Sequence, residues 1–273
     1  MTSIARAPIL IAPAAFKGTL RAPEVAAALA RGLEAGGWPI DPCPIADGGA
    51  GTLEVLLPAL GGETAAVEVE GRHVGIGLVE DGGTAILELR SVLDRATESS
   101  APAGKLLLAA AETGAEVLLV GAGDVRTADG GAGAAKALVD GGGVRARVVV
   151  LCDVRMSLER AGDGIAGALR DACGARLEHG AAFVLDALDF DMRMRAAHAV
   201  IVGEGELDLG TLAGKAPGEA ATRARQAGVP CFAAVGARTL DAFGARILDL
   251  QLVLEADDAA GLENAGRRLA TLV

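Results

Sequence analysis

The chain has 273 residues, half of them hydrophobic and 2% aromatic, with 25 basic and 36 acidic side chains giving a formal charge of −11. That length supports one large or two modest domains, and an acidic chain with no basic stripe and few rings is not a nucleic-acid binder. No apolar run approaches the ~20 residues that cross a bilayer, and no signal-type core precedes the first charged loop, so a cytoplasmic protein is expected.

Pro8-Ile9-Leu10-Ile11-Ala12-Pro13 reads as a short buried strand, and Pro23-Glu24 opens a helix that runs to Gly36. Trp38 to Ile45 reads as the next strand, followed by the turn Asp47-Gly48-Gly49-Ala50-Gly51-Thr52 and a helix from Leu53 to Leu60. This β-α-β-α opening predicts a parallel sheet. Three alternating runs follow, Thr64 to Glu70, Val74 to Glu80 and Thr84 to Leu89, joined by Gly-rich turns. They predict an antiparallel meander, and the change of grammar near Gly61 marks a domain boundary.

Next come a helix over 102–113, a strand from Glu116 to Val120, a helix around Gly131 to Val139 and a strand from Val144 to Cys152. The stretch 162–196 reads as mostly helical. Parallel grammar then returns, with a strand over 198–202, a helix over 216–227, strands from Val229 to Val235 and Arg246 to Leu254, and a closing helix over 257–271. The expected fold class is α/β with two lobes. One lobe is discontinuous (1–60 plus 185–273) and built on a parallel sheet; the other is an inserted mixed-sheet domain (61–184).

Cys43, Cys152, Cys173 and Cys231 are scattered and form no C-x-x-C pair, so they are expected as buried thiols. His73, His179 and His198 lack ligand spacing, and no G-x-S-x-G elbow is present for a hydrolase.

Four loops that follow predicted strands combine glycine with charge. They are Ala12 to Thr19 with Lys17, Ala46 to Thr52 with Asp47, Gly121 to Gly133 with Asp129, and Val202 to Pro217 with Glu204, Asp208, Thr211 and Lys215. One such loop is ordinary turn chemistry, and Gly121-x-Gly123 alone is a weak nucleotide signal. Their recurrence points to a shared anionic or polyhydroxy ligand, because strand-to-helix loops of α/β sheets line the ligand crevice. Carboxylates without a His/Cys cluster favour a hard ion such as Mg²⁺, and lysines with carboxylates suit phosphoryl transfer to a small hydroxy acid.

The segments "IAPAAFKGTL", "PIADGGAGTLEVL", "TADGGAGAAKAL", "CDV", "VLDALDFDMRMRAAHAVIVGEGELDLGTLAGKAP" and "GVPCFAAVGA" occur here in order. Together they resemble the bacterial glycerate kinase family over 8–60 and 115–236. The resemblance implies a flavodoxin-like domain and a restriction-enzyme-like domain. It also implies ATP as co-substrate, Mg²⁺, and transfer of the γ-phosphate to D-glycerate, giving 2-phosphoglycerate, or to a similar short hydroxy acid.

Carried onto this sequence, the resemblance places Lys17, Asp47 and Asp186 in catalysis. It places Gly48, Gly49, Asp129, Gly130, Asp191, Glu204, Thr211 and Lys215 in substrate or nucleotide binding, and Asp208 at the metal. Its expected partners are the hydroxy acid and ATP, with no nucleic acid and no membrane, and with room for a homodimer. Several features depart from the family pattern. Ala14-Ala15 replace an Asp-Ser pair, Asp124 to Ala128 intrude in the third loop, and Ser91 to Asp94 replace a Ser-Gly-Leu ending of the meander. A Gly-Pro-Gln-Lys-Gly segment after "CDV" is missing. These losses favour a second reading, a catalytically impaired relative that binds a small acid or nucleotide.

Overall fold

The first strand, β1 (Ile9–Pro13), is wholly buried, and such a strand needs neighbours on both edges. It pairs in parallel with the short β2 (Ile40–Pro42) on one side and with β11 (Ala199–Leu207) on the other. Beyond β11 lie β12 (Cys231–Arg238) and β13 (Leu250–Glu255), so the five-stranded parallel sheet has the order β13-β12-β11-β1-β2. The structure, a computed structural model, describes residues 6–16, 18–94, 96–153 and 164–273. Its two compact units are Met1–Ala46 with Leu185–Val273, which holds this sheet, and Asp47–Val184.

Alternation along the strands sorts the first unit's core. Ile9, Ile11, Ala199, Ile201, Phe232 and Ala234 share one cluster with Val25, Leu29 and Leu33 of α1 (Ala22–Ala35) and Leu262 and Leu269 of α11 (Ala259–Leu269). Trp38 closes that layer by donating its indole N–H to the Ala270 carbonyl at 2.9 Å, and its ring meets His198 with centroids 4.8 Å apart. Val202, Ala233 and Val235 point the other way, against Pro217 and Ala221 of α9 (Ala216–Ala227). Helices therefore cover both faces, as a buried parallel sheet requires.

The second unit carries a six-stranded mixed sheet. Its order is β10 (Arg176–His179), β9 (Arg147–Cys152), β7 (Val117–Gly121), β5 (Thr84–Glu88), β4 (Arg72–Val79) and β3 (Glu63–Val69). The meander β3-β4-β5 is antiparallel, β5, β7, β9 and β10 run parallel, and the two-residue β6 (Ala96–Thr97) and β8 (Arg126–Thr127) pair in parallel apart from this sheet. Helices α3 (Ala101–Ala111), α4 (Ala132–Asp140) and α5 (Ile165–Cys173) bury their apolar stripes in the same core as Ile76, Leu87 and Leu118. The unit begins at Asp47, ahead of the composition shift near Gly61, because α2 (Thr52–Ala59) packs on β3, β4 and β5.

Three local expectations are corrected. The stretch 162–196 contains β10 as well as α6 (Gly180–Ala187) and α7 (Phe190–Ala196) within the described residues. Arg246 to Ile247 belongs to α10 (Ala242–Ile247), started by Asp241, whose carboxylate accepts the Gly244 N–H at 2.7 Å. Strand β11 does not stop at Val202 but continues through Leu207, pairing Glu204 with Val235 and Glu206 with Ala237 of β12.

Candidate active site

Within the first unit the strand order is second-first-third-fourth-fifth in chain order, and the connections reverse direction between β1 and β11. Ligands of open α/β sheets bind outside the carboxyl ends at such a switch point. Here that point is flanked by the loop after β1 and by the Gly203 to Lys215 segment. Pro13 pairs with Gly203, and the Ala14 N–H donates to the Gly203 carbonyl at 2.8 Å. Ala14 and Ala15 therefore line this edge without a polar side chain. Phe16, 2% exposed, anchors the loop by bridging to Leu20. Lys17 lies outside the described residues.

The fourth motif is a self-supporting turn. Thr211 is 1% exposed, and its hydroxyl donates to Oε1 of the buried Glu204 at 2.7 Å while accepting the Asp208 N–H at 3.2 Å. Asp208 caps the one-turn α8 (Leu209–Leu212) by accepting the Thr211 N–H at 3.1 Å. Lys215, at the start of α9, donates through Nζ to both Asp208 oxygens at 3.0 and 3.2 Å. Glu204 and Thr211 thus hold the turn from beneath, and the partly exposed Asp208–Lys215 pair is what it presents. Burial pushes the Asp208 carboxyl up. The Lys215 hydrogen bond and charge, with the Thr211 and Gly210 N–H groups, outweigh it and keep the carboxyl below its ordinary value.

A second cluster of the same unit contains a residue that pattern reading missed. Arg223 of α9 donates through Nη1 to Asp186 of α6 at 2.6 Å and to Asp191 of α7 at 3.2 Å, and through Nε to Glu219 at 3.2 Å. Asp186 and Asp191 border an open depression of about 500 Å³ with Asp189, Phe190, Met192 and Arg195. Lys215, the residue that precedes α9, and Glu219 and Arg223 within it recur every four residues. That spacing was the available signal.

In the second unit the other expected residues fall on two copies of one pentapeptide, Asp-Gly-Gly-Ala-Gly, at 47–51 and 129–133. The first copy packs over the carboxyl ends of β7 and β9. The Gly123 N–H donates to the Gly48 carbonyl at 3.1 Å, and a Cβ on Gly180 would stand 2.1 Å from the Asp47 carbonyl oxygen. Gly48 (φ +88°) and Gly49 thus supply backbone close approach, with the Gly49 N–H reaching Asp47 Oδ1 at 3.3 Å.

In the second copy Asp129 is consumed by the fold. It accepts the Ser100 N–H and hydroxyl at 2.8 and 2.9 Å and the Gly131 and Gly133 N–H groups at 3.0 Å each, tying together the starts of α3 and α4. Burial pushes its carboxyl up, but these bonds and the Thr127 hydroxyl outweigh that and hold it at about 2. Gly130, with a φ of +58°, is exposed in the turn beside it.

The sequence matches the model of the glycerate kinase family over residues 9–147 and 153–263. The chain belongs to the glycerate kinase family. It is 27% identical to the glycerate kinase of Bacillus subtilis over 330 aligned positions, covering 85% of this chain and 86% of that one. Over 151 positions it is 34% identical to the glycerate 2-kinase of Escherichia coli, covering 48% of this chain and 39% of the relative. Its fold matches the crystal structure of a "putative glycerate kinase 2" from Salmonella typhimurium LT2 with a TM-score of 0.76, at 24% identity and 98% coverage of both chains.

Family membership makes Mg²⁺ and ATP the groups to test against the residues present. Among the described residues no set of three or more His, Cys, Asp or Glu is gathered as a metal cage. Asp208 offers a carboxylate already shared with Lys215 and Thr211. Mg²⁺ commonly takes one or two carboxylates and completes its shell with phosphate oxygens and water. The donor set suits an ion carried in on a triphosphate. No helix among the described residues is long and apolar enough to cross a membrane.

Proposed function

We propose that this family member transfers the γ-phosphate of Mg·ATP to D-glycerate, yielding 2-phosphoglycerate, or to a similarly short hydroxy acid. The observation that carries the reading is the Asp208–Lys215 pair, held at the β1/β11 switch point by a buried Glu204–Thr211 bond. A partly exposed ammonium beside a carboxylate at a helix start suits a phosphate or a substrate carboxylate with its counter-ion. Lys215, with Lys17, neutralises that anion, and Asp208 faces the Mg²⁺ of the nucleotide. In the transfer the acceptor oxygen bonds to the γ-phosphorus, the bond to the ADP oxygen breaks, and the hydroxyl proton passes to Asp186. Asp191 acts with Asp186 through Arg223. Gly48, Gly49 and Gly130 give backbone approach, while Asp129 keeps its helix-tying role.

The test is a coupled ADP assay with and without D-glycerate. Glycerate-dependent ADP that vanishes in Lys215→Ala, with 2-phosphoglycerate as the product by ³¹P NMR, supports the reading. A wild-type rate equal to the no-glycerate blank overturns it. The Ala14-Ala15 edge favours the second reading, an impaired relative that binds the acid or nucleotide. It predicts saturable ATP or glycerate binding by calorimetry with no ADP released.

A further inference from the structure

Helix α7 has seven residues, about two turns, and a helix that short depends on tertiary anchors for its place and direction. Phe190 and Met194 anchor it by burial. Arg193 anchors it by direction. Its guanidinium donates through Nε and Nη2 to the two Asp41 oxygens of β2 at 3.0 and 2.5 Å, and through Nη2 to the Pro42 carbonyl at 2.7 Å. Through Nη1 it reaches the Leu188 carbonyl at 3.5 Å. The Arg193 side chain is 25% exposed, so water competes little for these bonds. Leu188 and Asp189 make the corner between α6 and α7, where Asp189 stands in the left-handed region with a φ of +52°. A non-glycine residue keeps that conformation only where its surroundings hold it. Arg193 grips the corner twice, by Nη1 at Leu188 and by its backbone N–H, which donates to the Asp189 carbonyl at 3.1 Å.

Asp191 lies two positions before Arg193, about 200° around the helix axis. One side of α7 is thus fastened to β2, the edge strand of its sheet, while the other brings Asp191 to Arg223 Nη1 at 3.2 Å. The same nitrogen donates to Asp186 at 2.6 Å. We infer that Arg193 is a positioning residue: by pinning the α6–α7 corner to β2 it sets where Asp191 meets Arg223, and through Arg223 the place of the Asp186 carboxylate. Asp41 is the strand-side half of this device. An arginine is needed because one planar guanidinium serves a carboxylate and two carbonyls together, which a single ammonium cannot span.

The kinetic arm of the test rests on the kinase reading; the structural arm does not. In Arg193→Lys, which keeps charge and stem, kcat is expected to fall roughly tenfold or more with KM for glycerate within about threefold, since small misplacements near a reacting group are costly. Asp41→Asn, which weakens the same anchor from the strand side, is expected to lower kcat in the same direction. The double variant Arg193→Lys/Asp191→Ala is expected no more than about threefold below Asp191→Ala, because both changes act on one contact. A role in folding alone would lower the active fraction in both backgrounds, and the losses would multiply. Multiplying losses, or a wild-type kcat in Arg193→Lys, Asp41→Asn or Asp191→Ala, overturn the inference. A crystal structure of Arg193→Lys supplies the second arm. Asp191 Oδ1 moved beyond about 4 Å from Arg223 Nη1, the limit of an ion pair, supports it, and an unmoved Asp191 overturns it. A wild-type chain without glycerate-dependent ADP rejects the kinase reading and leaves that structural arm to decide.

Discussion

Arg223 Nη1 lies 2.6 Å from Asp186 Oδ1, so an expected catalytic carboxylate arrives already paired with a largely buried guanidinium. Arg223→Ala removes the Nε bond to the buried Glu219 as well, and taking away one partner of a buried ion pair costs about 3 kcal/mol. Urea unfolding is expected to show a loss of that size. Arg223→Lys keeps the charge but not the fork, and is expected to restore most of the stability while activity stays at least tenfold down.

For Lys215→Ala the expected pattern is the reverse. The Asp208 pair is partly exposed, and exposed ion pairs contribute about 1 kcal/mol or less. The melting temperature should therefore move little. A lost charge contact to the transition state costs about 3 kcal/mol, so kcat/KM is expected to drop about a hundredfold in steady-state assays.

Gly218→Ala tests whether the turn is held from beneath. A Cβ there would lie 2.0 Å from the Thr211 carbonyl oxygen, so the backbone must shift. Overpacking of this kind costs about 1–3 kcal/mol. The displaced Thr211 should release Glu204, and activity should fall further than in the control Gly75→Ala, at a strand position with open space around it and no positive φ.

Asp129 gives a pH dependence with a definite sign. Its folded carboxyl is held at about 2, below the ordinary unfolded value of about 4. The stabilisation is therefore fully present above about pH 4 and is lost as pH falls toward 2. Asp129→Asn should flatten that part of the stability curve, measured by denaturant midpoints between pH 2 and 5.

Thiol chemistry should leave the fold untouched at neutral pH. Burial pushes Cys43 and Cys152 up to about 11 and Cys231 up to about 12, and a protonated buried thiol does not alkylate. Cys173 is half-buried and also raised. Iodoacetamide followed by mass spectrometry should label Cys173 first, with the other three modified only on unfolding.

Much of the architecture was legible because it rests on apolar periodicity: β1 as an unbroken apolar run, the meander as strict alternation, α1 with proline at its start and glycine after its end. What escaped was set by tertiary partners. Arg176 to His179 forms an edge strand with no apolar pattern, hydrogen-bonded among the described residues to β9 alone. Glu204 looked like a loop residue because a carboxylate in a buried strand is costly; Thr211, seven residues on, offsets it. Asp47 and Asp129 open the same pentapeptide, yet the Gly51 and Leu53 N–H groups go to Glu88, 37 residues after Gly51, whereas the Gly131 and Gly133 N–H groups go to Asp129 itself. Lys215 and Asp208 were legible as a motif, but Arg223 was not, since two of its three acids, Asp186 and Asp191, come from other helices.

The order of strands in the parallel sheet also bears on synthesis. β1 sits between β2 and β11, and β11 leaves the ribosome only after all of 47–184 has emerged. The inserted unit can complete its sheet while the chain is still growing, whereas an apolar β1 must wait without its central neighbour. Domains generally fold as units during translation, and here the unit that starts first is the one that finishes last. For this chain, the interval in which a nascent apolar strand needs chaperone cover is set by the length of the insertion.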